Sequence, residues 1–81
     1  MTRKAKVYVT LKRGVLDPQG SAVARSLHAL GYREVADIRL GKFIEVEIGE
    51  EATPEDARRR LDEMCRKLLA NTVIEDYRIE L

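Results

Sequence analysis

Tryptophan is absent, cysteine and histidine occur once each, and only three tyrosines and one phenylalanine supply aromatic surface. A single cysteine, Cys65, excludes an intrachain disulfide, and His28 alone, with no ligand cluster around Cys65, excludes the usual zinc cages. No G-x-x-x-x-G-K-S/T or G-x-G-x-x-G run is present, so the known glycine-rich phosphate cradles are missing. No apolar stretch approaches the ~20 residues that a membrane-spanning helix needs. The net charge is only +1 with both signs interspersed, which gives no basic stripe for nucleic acid. Met1-Thr2-Arg3-Lys4 runs straight into a strand-like segment without a secretory apolar stretch, and the expectation is a cytoplasmic chain with a reduced thiol.

What is present is 81 residues, read as one domain over 1–81. A domain of this size buries about 60% of the surface its unfolded chain exposes and is marginal alone. With disulfides and metals removed, oligomerisation is the compensation left.

Residues 5–12 alternate, with Ala5, Val7, Val9 and Leu11 on one face, which predicts a half-buried strand. Asp17 followed by Pro18 marks a helix start, and Val23, Leu27 and Leu30 recur at helical spacing until Gly31. Residues 35–40 read as a second strand and 43–48 as a third, with Ile44, Val46 and Ile48 in phase. Gly41-Lys42 between them has the glycine-first pattern of a two-residue hairpin turn. Thr53-Pro54 opens a second helix with a stripe of Ala57, Leu61, Met64 and Leu68, and Asn71 reads as its left-handed cap. A last strand carries Val73, Tyr77, Ile79 and Leu81. The order β-α-β-β-α-β predicts an α+β, ferredoxin-like fold: one antiparallel sheet with two helices on one face.

No nucleophile and base can be paired from these residues. His28 and Cys65 fall in different helices beside core leucine and methionine, so a flank histidine and a small buried hydrophobe are the readings. Glu45 and Glu47 share a strand face, and ion pairs with Lys6, Arg39 or Arg78 fit them better than acid-base work. Arg58-Arg59-Arg60 is offset by Asp56, Asp62 and Glu63 and reads as a solvated helix face. Val15 and Leu16 are apolar in a loop and must pack under the helix or on a partner. The open face of the sheet, with Tyr8, Thr10, Asp37, Arg39, Phe43, Glu45, Arg78 and Glu80, carries both signs of charge, which fits a solvated surface and equally a self-complementary contact with a second copy.

Three segments resemble the PurS family, the small subunit of phosphoribosylformylglycinamidine (FGAM) synthase. They are 11–20 with its Gly-Val-Leu-Asp-Pro-Gln-Gly core, 35–42 ending in Arg-Leu-Gly-Lys, and 65–77. Thr72 stands where the family pattern leads one to expect proline. The resemblance implies a non-catalytic subunit of an ATP-dependent C–N ligase complex of purine biosynthesis. Its partners would be a second copy of itself, a large synthetase subunit and a glutaminase subunit, with no nucleic acid and no membrane. It implies no catalytic, cofactor or metal residue on this chain, ATP and Mg being used by the complex. Gly14, Val15, Leu16, Asp17, Pro18, Gln19, Gly41, Lys42 and Asn71 are the partner-contact candidates. A ferredoxin-like regulatory module that binds a small molecule is the alternative.

Overall fold

The computed structural model of the chain describes residues 3–49 and 53–81. β1 (Arg3–Leu11) leads through a loop to α1 (Pro18–Ala29), β2 (Gly41–Ile48), α2 (Pro54–Met64), a π-helical turn (Cys65–Leu69) and β3 (Glu75–Glu80). β1 is central in an antiparallel sheet of order β2-β1-β3. Its pairing sets Val7 opposite Ile44 and Ile79, and Tyr8 opposite Phe43 and Arg78. The period-two pattern therefore sends Ala5, Val7 and Val9 to one face, where they meet Leu61, Cys65 and Ala70 in the core. Ile44, Val46, Ile48, Tyr77 and Ile79 pack around that cluster.

Both helix starts form as the capping residues dictate. Asp17 accepts from the Gly20 amide at 2.8 Å, and Thr53 accepts from the Asp56 amide at 3.2 Å. Gly31, at φ +104°, ends α1 with bonds from its own amide to the His28 carbonyl and from the Tyr32 amide to the Leu27 carbonyl. That is the paired C-terminal cap that needs a left-handed residue.

The α+β class, the antiparallel sheet and both helices match the expectation; several details do not. Residues 35–40 form no strand, and Gly41-Lys42 forms no turn: both residues lie inside β2, opposite Thr10 and Val9. The reason is register. A two-residue loop would set Leu40 opposite Phe43 and Ile38 opposite Glu45, and directly opposed residues share a face. Since Phe43 and Glu45 lie with Tyr8 and Lys6 on the outer face, such a hairpin would turn Ile38 and Leu40 to water and Arg39 inward.

The α2 stripe is also displaced. Ala57, Leu61 and Cys65 are buried, whereas Met64 is partly exposed and Leu68 is 84% exposed. Spacing of four from Ala57 keeps one face against the sheet. The π turn, closed by the Ala70 amide on the Cys65 carbonyl at 2.9 Å, then inserts a residue so that Leu69 reaches the core instead of Leu68. Asn71 does not adopt left-handed φ; its side chain accepts from the Val73 amide at 3.1 Å and shapes the turn that way. Val73 lies in that turn and is exposed.

Helix α1 is the larger departure. Among the described residues, α2 and the π turn that follows it pack on the sheet through Leu61, Cys65 and Leu69, and α1 makes no contact of similar extent with any strand. The molecule measures 51 × 27 × 15 Å with a radius of gyration of 16.3 Å, against about 12 Å for a compact chain of this length. Instead α1 packs on residues 32–40: Gly20 is buried so close to the Ile38 carbonyl that a Cβ would overlap it, and His28 Nε2 lies 2.7 Å from the Val35 carbonyl. The acceptor there is a carbonyl, so the ring nitrogen donates.

Candidate functional site

The partner-contact candidates, scattered over three stretches of sequence, meet at one end of the sheet. Gly14, at φ +89°, reverses the chain after β1, and the Val15 amide donates to the Lys12 carbonyl at 3.1 Å. Leu16 follows, 75% exposed at the loop surface. Asp17 is the anchor. One carboxylate oxygen takes the Gly20 amide and the other takes the Leu40 amide, also at 2.8 Å. These two backbone bonds, helped by the Arg39 charge, hold its carboxyl below the ordinary aspartate range against the opposing effect of desolvation. A single buried side chain thus fastens loop, helix and the entry to β2.

Gly41, Lys42 and Gln19 line a recess of about 190 Å³ together with Asp17, Leu11 and Glu75. Asn71 joins through Glu75: its amide donates to Glu75 Oε1 at 2.7 Å. The Lys12 amide donates to the Ile74 carbonyl at 2.9 Å and ties the loop to this turn. Pro18 sets the first turn of α1 and is exposed. The structure therefore gathers the candidates into one platform, although Gly41 and Lys42 enter it as strand residues.

Two contributors escaped the sequence reading. Arg39 Nη2 donates to the carbonyls of Leu11 and Lys12 at 3.1 and 2.6 Å, spanning 27 to 28 residues. Nothing local in a sequence signals such a contact. Glu75, four residues from Asn71, closes a turn and was within local reach.

The outer sheet face is as expected for β1, β2 and β3. Tyr8 and Phe43 stack with ring centroids 5.2 Å apart, and the Arg78 guanidinium sits 4.5 Å over the Tyr8 ring. Glu45 pairs with Lys4 at 3.4 Å, not with the cations expected, and Arg39 is committed to backbone carbonyls. Such exposed pairs contribute little.

The single cysteine and histidine are both spoken for. Cys65 is buried under α2, and burial pushes its thiol up, with Asp62 adding to the effect. Tyr77 OH donates to Asp62 Oδ1 at 2.5 Å, and Arg66 Nε meets Asp62 Oδ2 at 2.9 Å. The hydrogen bond raises Tyr77 and lowers Asp62.

These shifts predict the pH profile. Asp17 and Asp62 have depressed folded values, so their stabilisation is present above the unfolded carboxylate value near pH 4 and is lost as pH falls through the folded values. Tyr77 is raised, so its stabilisation is present below about pH 10 and is lost as pH rises through the folded value. Melting temperature followed by circular dichroism should be flat through neutrality and fall at both ends. Asp17→Asn should blunt the acid limb and Tyr77→Phe the alkaline one.

Comparison with known proteins places this geometry. The family model described as PurS, phosphoribosylformylglycinamidine (FGAM) synthase, matches residues 4–81. The FGAM synthase subunit PurS of Bacillus subtilis (strain 168) is 58% identical over 78 residues, covering 96% of this chain and 90% of that protein. That of Methanocaldococcus jannaschii is 42% identical over 78 residues, covering 96% and 93%. A solved B. subtilis PurS superposes with TM-score 0.85 at 56% identity, over 99% of this chain and 96% of that one. A chain of the solved PurLQS from Thermotoga maritima superposes with TM-score 0.88 at 30% identity, over 99% and 96%.

Proposed function

Because the chain belongs to the PurS family of FGAM synthase subunits, we propose that it works by position, joining a large synthetase subunit to a glutaminase subunit and helping ammonia pass between them. The observation that carries this reading is the near-complete overlap, at TM-score 0.88, with a chain of a PurLQS structure. The geometry is of a kind with it. Cys65 is sealed in the core, the His28 ring is taken up by the Val35 carbonyl, and the most built feature of the surface is a platform of backbone and anchoring bonds.

A positioning subunit has chemical value in this reaction. Ammonia released into neutral water is mostly protonated, and ammonium is not a nucleophile. A sealed path between two active sites keeps it reactive and removes stray solvent. On this reading ATP and Mg belong to the synthetase, the chain itself holds no cofactor, and the complex is cytoplasmic. No helix among the described residues is long and apolar enough to cross a membrane. The chain also meets a second copy of itself, because α1 leaves Leu30 74% exposed and the fold open.

The test is reconstitution. Omitting this chain from synthetase and glutaminase should lower glutamine-dependent FGAM synthesis at least tenfold and leave ammonia-dependent synthesis largely intact. Equal rates from glutamine with and without the chain would refute the bridging role.

A further inference from the structure

We propose that Asp17 is a positioning residue: it holds the loop of residues 12–17 in one shape, so that Leu16 meets an apolar socket with an acidic rim on a partner subunit of the synthase. The proposal rests on the bridging role given above and names the part of the chain that performs it.

The loop is closed at both ends by one short segment, residues 39 and 40. Arg39 Nη2 donates to the carbonyls of Leu11 and Lys12, and the Leu40 amide donates to Asp17 Oδ2. Between those ends the Val15 amide closes a turn on the Lys12 carbonyl, and Gly14 supplies the positive φ that the reversal needs. The Lys12 amide is taken by the Ile74 carbonyl. A loop with this many fixed bonds has little conformational freedom left.

Its side chains divide. Val15 is half-buried and Asp17 is buried, while Leu16 between them is exposed. An exposed leucine alone is ordinary. This one is carried at a fixed place on a stiff loop, so it enters a socket without the ordering cost that a mobile loop incurs on binding. Arg13, exposed in the same loop, and Lys12 place positive charge beside it. The complementary rim is therefore acidic.

The carboxylate is chosen for more than the helix cap. Its oxygens accept from two backbone amides, those of Gly20 and Leu40, and it has no donor to oppose either. Asparagine and serine cap a helix as well as aspartate does. Each brings a single oxygen, however, and one of the two amides then loses its partner.

Titration of the chain into synthetase and glutaminase, read as glutamine-dependent FGAM synthesis, separates assembly from chemistry. Leu16→Ser should raise the half-saturating chain concentration at least tenfold and leave the plateau rate within twofold. Leu16→Met, which keeps an apolar side chain of similar volume, should stay within twofold of wild type on both measures. Arg13→Glu should raise the half-saturating concentration at least threefold. Asp17→Asn should raise it at least fivefold with an unchanged circular dichroism spectrum, and Asp17→Ser repeats the test should the first variant fail to fold. Because Asp17 acts through Leu16, the double variant Asp17→Asn, Leu16→Ser should bind no more weakly than Leu16→Ser alone. Additive losses would overturn the proposal, as would wild-type values for Leu16→Ser or Arg13→Glu. A Leu16→Ser defect in self-association by light scattering would also overturn it, since the socket would then lie on a second copy. These results leave the bridging role standing; that role falls only if the plateau rate from glutamine equals the rate without the chain.

Discussion

Replacing Leu61 with alanine should cost the fold about 3 kcal/mol and lower the melting temperature by about 12–24 °C. Leu61 is fully buried and is the largest side chain that α2 places among Ala5, Val7, Val9 and Cys65. Truncation leaves a cavity that a strand-and-helix sandwich this thin has little means to fill. Domains near this size hold roughly 4–12 kcal/mol in all, so the loss removes a large share of the margin. Leu68→Ala, seven residues on, is the control. Leu68 is exposed within one chain and lines a hollow of about 420 Å³ with Val46, Met64 and Leu69. Its truncation should leave chemical denaturation of the dilute chain within about 0.5 kcal/mol of wild type while weakening self-association. Equal thermal losses from the two leucines would mean that the core has been misplaced.

Gly20→Ala should be the most damaging single methyl. On helix propensity alone the change favours folding by about 1 kcal/mol. Here the new Cβ would overlap the Ile38 carbonyl oxygen and crowd the Asp17 carboxylate, both held in place. Overpacking of this kind typically costs 1–3 kcal/mol, and a backbone atom cannot swing aside as a side-chain end can, so the clash outweighs the propensity. The expected result is a melting temperature lower by roughly 5–15 °C. Glutamine-dependent activity of the reconstituted complex should fall at least tenfold, with ammonia-dependent activity spared. A stabilised variant would show that residues 35–40 do not lie on α1.

The two glycines that contact backbone most closely explain why part of the architecture was not legible beforehand. Gly20 reads in the sequence as the end of the Gly-Val-Leu-Asp-Pro-Gln-Gly turn that leads from strand to helix, and Gly41 reads as a hairpin turn. Their roles, close approach to Ile38 and to Val9, are set by segments 18 and 32 residues away in the chain. Arg39 is the same case: its bonds to Leu11 and Lys12 depend on where β1 ends in space. The π turn is subtler. The stripe of α2 continues with either Met64 and Leu68 or Cys65 and Leu69, and only contact with β1 and β3 selects the second.

Short-range physics was enough for much else. Alternation over residues 5–11 defines β1 and its buried face, since a side-chain period of two leaves no other arrangement. Asp17-Pro18 and Thr53-Pro54 define both helix starts, because free amides at a helix end must find an acceptor within three residues. Gly31 ends α1 because the cap requires positive φ. Strand count, the straight passage through Gly41 and the detachment of α1 from its own sheet were decided by tertiary structure alone. They follow from register and from which surfaces meet, and those are properties of pairs of segments that no single stretch of sequence contains.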